Sequence, residues 1–80
     1  MMNERSLNDD HLKIAKQIGD KIKRLRKEKG ISYVQLASIL NINKNTYYQI
    51  ETGTNFQIRT LLIILDYHKL SLSEFFHGFE

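Results

Sequence analysis

Apolar residues recur along most of the chain at spacings of three and four, the repeat of an amphipathic helix. In the first long segment this stripe is formed by Ile14, Ile18, Ile22 and Leu25. A capping amide at Asn8 precedes the segment, so we predict a helix that begins there and runs to Lys29. The chain contains no proline, and no two-residue alternation extends beyond a few positions. The pattern therefore predicts an all-α fold.

Two short helical patterns follow Gly30, and a turn at residues 41–43 separates them. The first can be capped by Ser32, and its apolar positions are Val34, Leu36, Ala37 and Leu40. The second can be capped by Asn43, and its apolar residues Tyr47 and Ile50 lie three apart on one face. Two short helices joined by such a turn have the spacing of a helix-turn-helix.

The C-terminal third of the chain predicts a fourth and a fifth helix. The fourth fits Ile58 to His68, and its inner face is expected to carry Ile58, Leu61, Leu62 and Leu65, with His68 as the last candidate. The fifth runs from Ser71 or Ser73 to about His77, and one of the two serines would be its N-cap. Together the segments predict a compact five-helix bundle in which the second and third helices form the helix-turn-helix.

Length and composition limit the chain to one small domain. We expect residues 1–8 to form a flexible N-terminal arm and residues 9–80 to form the domain. The absence of cysteine excludes disulfides and thiolate metal sites. No apolar signal segment begins the chain, and the longest apolar run, Leu61 to Leu65, is too short to cross a bilayer. We therefore expect a cytoplasmic protein without a membrane partner.

Charge is concentrated in one part of the chain. The net charge of +3 is mild, but six cations lie between positions 21 and 29, namely Lys21, Lys23, Arg24, Arg26, Lys27 and Lys29. Such a basic stripe is typical of phosphate binding, and a merely solvated helix face has the same composition. The adjacent helix-turn-helix favours phosphate binding, with Lys23 and Lys27 as the expected contacts.

The outer face of the third predicted helix carries side chains that can read DNA bases. They are Lys44, Asn45, Thr46, Tyr48 and Gln49. Asn45 and Gln49 can each bond adenine through N6 and N7, and Lys44 can donate to guanine or to a phosphate. Tyr48 can pack on a thymine methyl group. These residue types in one helix make double-stranded DNA the expected partner.

From Ile18 to Phe76 the sequence resembles the lambda-repressor-like Cro/phage-repressor family of helix-turn-helix proteins. The matching segments are IGDKIKRLRKEKGIS, QLASIL, NTYYQIETG and LSLSEFF. The resemblance implies a transcriptional regulator that binds a specific double-stranded DNA sequence, usually as a homodimer on a palindromic operator. It also implies that the bases are read by Lys44, Asn45, Tyr48 and Gln49.

Further roles follow from the same resemblance. Tyr33 stands where relatives commonly carry a glutamine, and its phenol can still donate to a phosphate. The phosphate contacts are therefore expected from Tyr33, Lys23, Lys27, Thr46 and Asn55. In relatives an arginine four residues before the glycine that ends the first helix pairs with an acid of the recognition helix. Here these residues are Arg26 and Glu51, and the alternative is two unrelated surface charges.

The C-terminal apolar residues leave two interpretations open. One is a dimer interface formed by Ile63, Tyr67, Phe75 and Phe79. The other is closure of the monomer core, for which Phe76 is the first candidate. The same surface allows a different function, that of a protein-interaction module such as an antitoxin or a controller protein.

Chemistry beyond binding is not expected of this chain. The histidines His11, His68 and His77 lack the spacing of a helical metal site. The serines that open helices are expected to act as caps and not as nucleophiles. We therefore expect no enzymatic activity, no metal, no cofactor and no small-molecule ligand. Gly19, inside the first helix, is expected to mark close packing against a neighbouring helix.

Overall fold

A computed structural model of the chain describes residues 9–54 and 57–79. Its five helices are α1 (Asp9–Glu28), α2 (Tyr33–Leu40), α3 (Lys44–Thr52), α4 (Ile58–Tyr67) and α5 (Leu72–Phe76). The described ranges contain no strand, so the predicted all-α, five-helix fold is confirmed. The predicted arm at residues 1–8, with its cap Asn8, lies outside the described residues.

Local hydrogen bonds explain where α2 and α3 begin. Ser32 Oγ accepts from the Gln35 backbone N–H at 3.1 Å, and Gln35 Oε1 accepts from the Ser32 N–H at 2.9 Å, which completes a capping box. Asn43 Oδ1 accepts from the N–H groups of Asn45 and Thr46 at 2.8 and 3.3 Å. Both predicted caps are therefore confirmed, and they fix the start of each helix.

The turn between α2 and α3 depends on one unusual backbone conformation. Asn41 ends α2 with φ of 57°, in the left-handed region that asparagine tolerates better than most residues. Its N–H bonds back to the Ser38 carbonyl, and the Ile42 N–H bonds to the Ala37 carbonyl. This reversal turns the chain so that α3 can pack on α1 and α2.

The core is shared by all five helices. Its buried apolar residues are Ile18, Ile22, Leu36, Ala37, Tyr47, Ile50, Leu61, Ile64, Leu65 and Phe75. Every helix contributes at least one of them, so the five short elements bury one common core. Ala37 is among them, as expected of a small residue between two closely packed helices.

Three residues predicted to face the core are instead exposed. Ile14 in the N-terminal half of α1 is 42% exposed, and in α4 Ile58 and Leu62 are 57% and 46% exposed. In α4 the chain offered two neighbouring apolar faces, and packing buries the one with Thr60, Leu61, Ile64 and Leu65. The prediction of Ile58 and Leu62 as inner residues was therefore wrong.

Gly19 is packed against the backbone of α3, as predicted. A Cβ built on Gly19 would lie 2.4 Å from the carbonyl oxygen of Glu51 and 2.5 Å from that of Ile50. These contacts are far below van der Waals separation, and both involve backbone atoms. A glycine here allows α1 and the C-terminal end of α3 to approach closely.

Candidate nucleic-acid interface

Helix α3 has one buried face and one outward face. Tyr47, Ile50 and Glu51 are buried against the rest of the domain. Around the opposite side lie the four residues predicted to read bases, Lys44, Asn45, Tyr48 and Gln49. The first three are exposed and Gln49 is partly exposed, so the helix directs all four away from the core.

A buried ion pair fixes α3 against α1. Arg26 Nε donates to Glu51 Oε2 at 2.7 Å, and Arg26 Nη2 donates to Glu51 Oε1 at 3.1 Å. Arg26 and Glu51 are only 8% and 5% exposed, so this is a two-bond, desolvated pair and not a pair of surface charges. Arg26 Nη1 also donates to the Ile31 carbonyl at 2.8 Å, which ties the end of α1 to the start of the helix-turn-helix.

The polar groups around this pair shift in pKa as expected for a buried ionic network. The hydrogen bond to Glu51 raises the pKa of Arg26, against the opposing effect of burial. Burial raises the pKa of the neighbouring Tyr47, whose hydroxyl makes no hydrogen bond within the described part of the chain. Arg26 therefore stays charged and Tyr47 stays neutral near neutral pH.

Tyr33 and Tyr48 connect the two helices of the motif on the outside. Their ring centroids are 5.1 Å apart and their planes are inclined at 43°. This tilted arrangement is a favourable one for two aromatic rings. Because Tyr48 is 48% exposed, the contact supports an aromatic side chain that still presents a face to solvent. The residue that replaces the expected glutamine thus packs on the helix that carries the base-reading candidates.

Two cations of the basic stripe at positions 21–29 contact aromatic residues of α4 and α5. Lys21 donates to the Phe75 carbonyl, and its ammonium lies 4.9 Å from the Phe75 ring centroid. Lys29 lies 5.5 Å from the ring centroid of Tyr67. Lys23 and Lys27, the two predicted phosphate contacts, are exposed.

Two of the other predicted phosphate contacts, Tyr33 and Thr46, are only partly exposed. Tyr33 is partly exposed at the first position of α2, and Thr46 is partly buried on the side of α3 near the core. Asn55 lies outside the described residues.

Thr52, for which the sequence predicts no role, shares the outer face of α3 with Tyr48. Its hydroxyl donates to the Gln49 carbonyl at 3.2 Å, so it is engaged at the helix end.

The predicted dimer patch requires a correction at Phe75. Phe75 is fully buried in the monomer, and the half-buried Phe76 and Phe79 rings pack against it at centroid distances of 5.0 and 5.8 Å. The choice of Phe76 before Phe75 as the core residue was therefore wrong, because α5 turns Phe75 inward. Tyr67 is half-buried beside Lys29, and Ile63 is exposed on α4.

The described residues hold neither a metal-ligand cluster nor a membrane-spanning helix. They contain no group of three or more histidine, aspartate or glutamate side chains that could hold a metal ion. None of the helices at 9–54 and 57–79 is both long and apolar enough to cross a membrane.

The chain was compared with protein-family models, with curated proteins and with solved structures. A family model described as helix-turn-helix matches residues 22–75. The match begins inside α1 and includes all of α2, α3 and α4 and most of α5, so it covers the ion pair and the outer face of α3. No curated protein and no solved structure matched the chain.

Proposed function

Because the chain belongs to the Cro/C1-type helix-turn-helix family of DNA-binding regulators, we propose that it reads a specific DNA sequence with the outer face of α3. Family membership supports DNA binding and transcriptional regulation as such. We further propose which residues contact the bases, which residues contact the phosphates, and that the operator is a palindrome.

The observation that carries the proposal is the division of α3 into an anchored face and an exposed polar face. The anchored face contains Glu51, held by two hydrogen bonds to Arg26. The exposed face presents side chains that complement base edges in a major groove, namely Lys44, Asn45, Tyr48 and Gln49. A recognition helix needs both properties, since its side chains discriminate bases only when the helix itself is held in a fixed orientation.

Phosphate contacts would set the position of α3 in the groove without selecting a sequence. Lys23 and Lys27 on α1 and Tyr33 at the start of α2 are accessible for this role. A dimer that neutralises about six phosphates should lose affinity with salt at a log–log slope near −5. That slope would measure the electrostatic share of binding separately from the base contacts.

We further propose that the protein acts as a homodimer on a palindromic operator. Two copies related by a two-fold axis would place two α3 helices on half-sites about one helical turn apart. Dimer formation at rising concentration would itself regulate DNA occupancy. The sign of regulation, repression or activation, depends on where the operator lies relative to a promoter.

Selection from a randomised duplex pool at about 0.15 M salt tests the proposal. We expect recovery of a palindrome whose half-sites are about 10 base pairs apart, centre to centre. A single unrepeated half-site would contradict the dimeric form and retain the base-reading role of α3. Recovery of no sequence above background would contradict sequence-specific binding and favour a protein-interaction module.

A further inference from the structure

The outer face of α4 carries a self-complementary set of residues, and we infer that it is the dimer interface of this protein. The occupant of this face is a second copy of the same chain, packed with its α4 antiparallel to the first. The inference rests on the proposed homodimer and specifies its interface. It shares only Ile63 with the dimer patch predicted from the sequence, whose Phe75 is buried within the monomer.

The face is exposed and mostly apolar. Thr60, Leu61, Ile64 and Leu65 turn inward, which leaves the opposite side of the helix to solvent. That side carries the exposed residues Ile58, Arg59, Leu62, Ile63 and Asp66. Its three large aliphatic side chains, Ile58, Leu62 and Ile63, are 36% to 57% exposed on one short helix, and a grouped apolar surface of this kind is typical of an interaction site.

The order of residues on this face matches itself under a two-fold rotation. Arg59, Leu62, Ile63 and Asp66 follow one stripe at helical spacings of three, one and three. A two-fold axis that passes between Leu62 and Ile63 brings the aliphatic residues of both copies together at the centre. The same axis places Arg59 of each copy opposite Asp66 of the other, since the two are equally far from it.

Interactions among the described residues do not explain the two charges. Arg59 and Asp66 lie seven positions apart, about 10 Å along the helix, which is too far for an ion pair within α4. Neither has an ion-pair partner among residues 9–54 and 57–79. An antiparallel second copy would supply the missing partner at both ends.

The helix dipole of α4 disfavours the positions of both charges. Arg59 is in the first turn of α4 and Asp66 is in the last, so each charge lies at the end where the dipole disfavours it. Reversing either charge would therefore favour the isolated helix. An antiparallel neighbour offsets the unfavourable placement, because its own Asp66 and Arg59 lie beside these ends.

Charge reversal tests the interface without endangering the fold. We expect Arg59→Glu and Asp66→Lys, each alone, to weaken the dimer at least about tenfold in sedimentation equilibrium without DNA, because each creates two like-charge contacts. An equimolar mixture of the two variants should restore dimers, because every contact in the mixed dimer again joins opposite charges. Lys16→Glu on α1 makes the same change of charge as Arg59→Glu and should leave the dimer unchanged.

The result also separates this interface from the DNA-binding proposal. If both reversed variants dimerise as the unmodified protein does, the α4 interface is wrong and the role of α3 is unaffected. If Arg59→Glu lowers DNA affinity while Asp66→Lys leaves the dimer intact, Arg59 contacts phosphate and not a second copy. A protein that stays monomeric at tens of micromolar before any substitution would also overturn the inference. Both variants should still bind an isolated half-site, since one copy of α3 is enough for it, and failure of the unmodified protein to bind a half-site would instead count against α3.

Discussion

Gly19 of α1 lies so close to Glu51 of α3 that a Cβ on Gly19 would be 2.4 Å from the Glu51 carbonyl oxygen. Seven residues, about two turns, further along α1, the Arg26 side chain forms two hydrogen bonds with the Glu51 carboxylate. Helix α3 is thus held at its C-terminal end by a backbone contact and an ion pair on the same residue. Its orientation is set by α1 as much as by the turn that precedes it.

We predict that Gly19→Ala destabilises the domain by about 1–3 kcal/mol, because the methyl group would displace the backbone of α3. Helix propensity alone would give the opposite sign, by up to about 1 kcal/mol. Urea unfolding followed by circular dichroism measures the difference. Gln17→Ala, at an exposed position of the same helix, should change the free energy of unfolding by no more than about 0.5 kcal/mol. A stabilised Gly19→Ala protein would show that the contact is not tight in solution.

Arg26→Met should lower the free energy of unfolding by about 3–5 kcal/mol, because it leaves the Glu51 carboxylate buried without its partner. Adding Glu51→Leu should recover much of that loss, because no uncompensated charge then remains. The matched control is Arg24→Met, an exposed arginine of the same helix. If Arg26→Met cost no more than Arg24→Met, the ion pair would not be holding the two helices together.

The Tyr33–Tyr48 contact predicts different effects for two substitutions at Tyr33. Tyr33→Phe keeps the ring that packs on Tyr48 at 5.1 Å and removes only the hydroxyl. It should weaken binding to operator and unrelated DNA equally, as expected of a lost phosphate contact. Tyr33→Ala should in addition cost about 0.5–1.5 kcal/mol on the operator alone, because Tyr48 loses its support. Equal specificity of the two variants in competition binding would argue against a positioning role for Tyr33.

His68 should make the domain less stable in mild acid. Burial, followed by the nearby charge of Lys29, lowers the pKa of His68, and Glu28 opposes the shift. The folded state therefore favours the neutral ring, whose Nε2 has no hydrogen-bond partner within the described residues. Its contribution to stability is present above the unfolded pKa of about 6.5 and is lost as pH falls through the lower folded value.

The measurement for His68 is the free energy of unfolding between about pH 7 and pH 5. We expect His68→Gln to flatten the pH dependence over this interval. His77→Gln, at an exposed position, should leave the curve unchanged. If the two variants and the unmodified protein gave parallel curves, His68 would titrate alike in the folded and unfolded states.

Much of the fold could be predicted from the sequence because its signals are local. Ser32 and Asn43 precede helical patterns and cap them with their own side chains, so the starts of α2 and α3 follow from residue type. The prediction failed where two faces competed. Leu62 and Ile64 are equally apolar, and only the packing of α4 on the other helices decides which is buried.

The candidate site shows the same limit. Asn45 and Tyr48 could be placed on the outer face of α3 because Tyr47 and Ile50 define its inner face by spacing alone. The alternative roles of Phe75 and Phe76 could not be separated, because adjacent residues of a short helix differ only by its rotation. The contact of Tyr33 with Tyr48 joins two helices, and no local pattern indicates it.

The central claim, that α3 reads sequence while α1 holds phosphates, is tested most directly by comparing two variants on two duplexes. Affinities of Gln49→Ala and Lys27→Ala would be measured on the selected operator and on a scrambled duplex of equal length. We expect Gln49→Ala to lose about 1–3 kcal/mol on the operator and little on the scrambled duplex. Lys27→Ala should weaken both similarly and reduce the salt slope by about 1. Equal losses of Gln49→Ala on the two duplexes would contradict base reading by this residue.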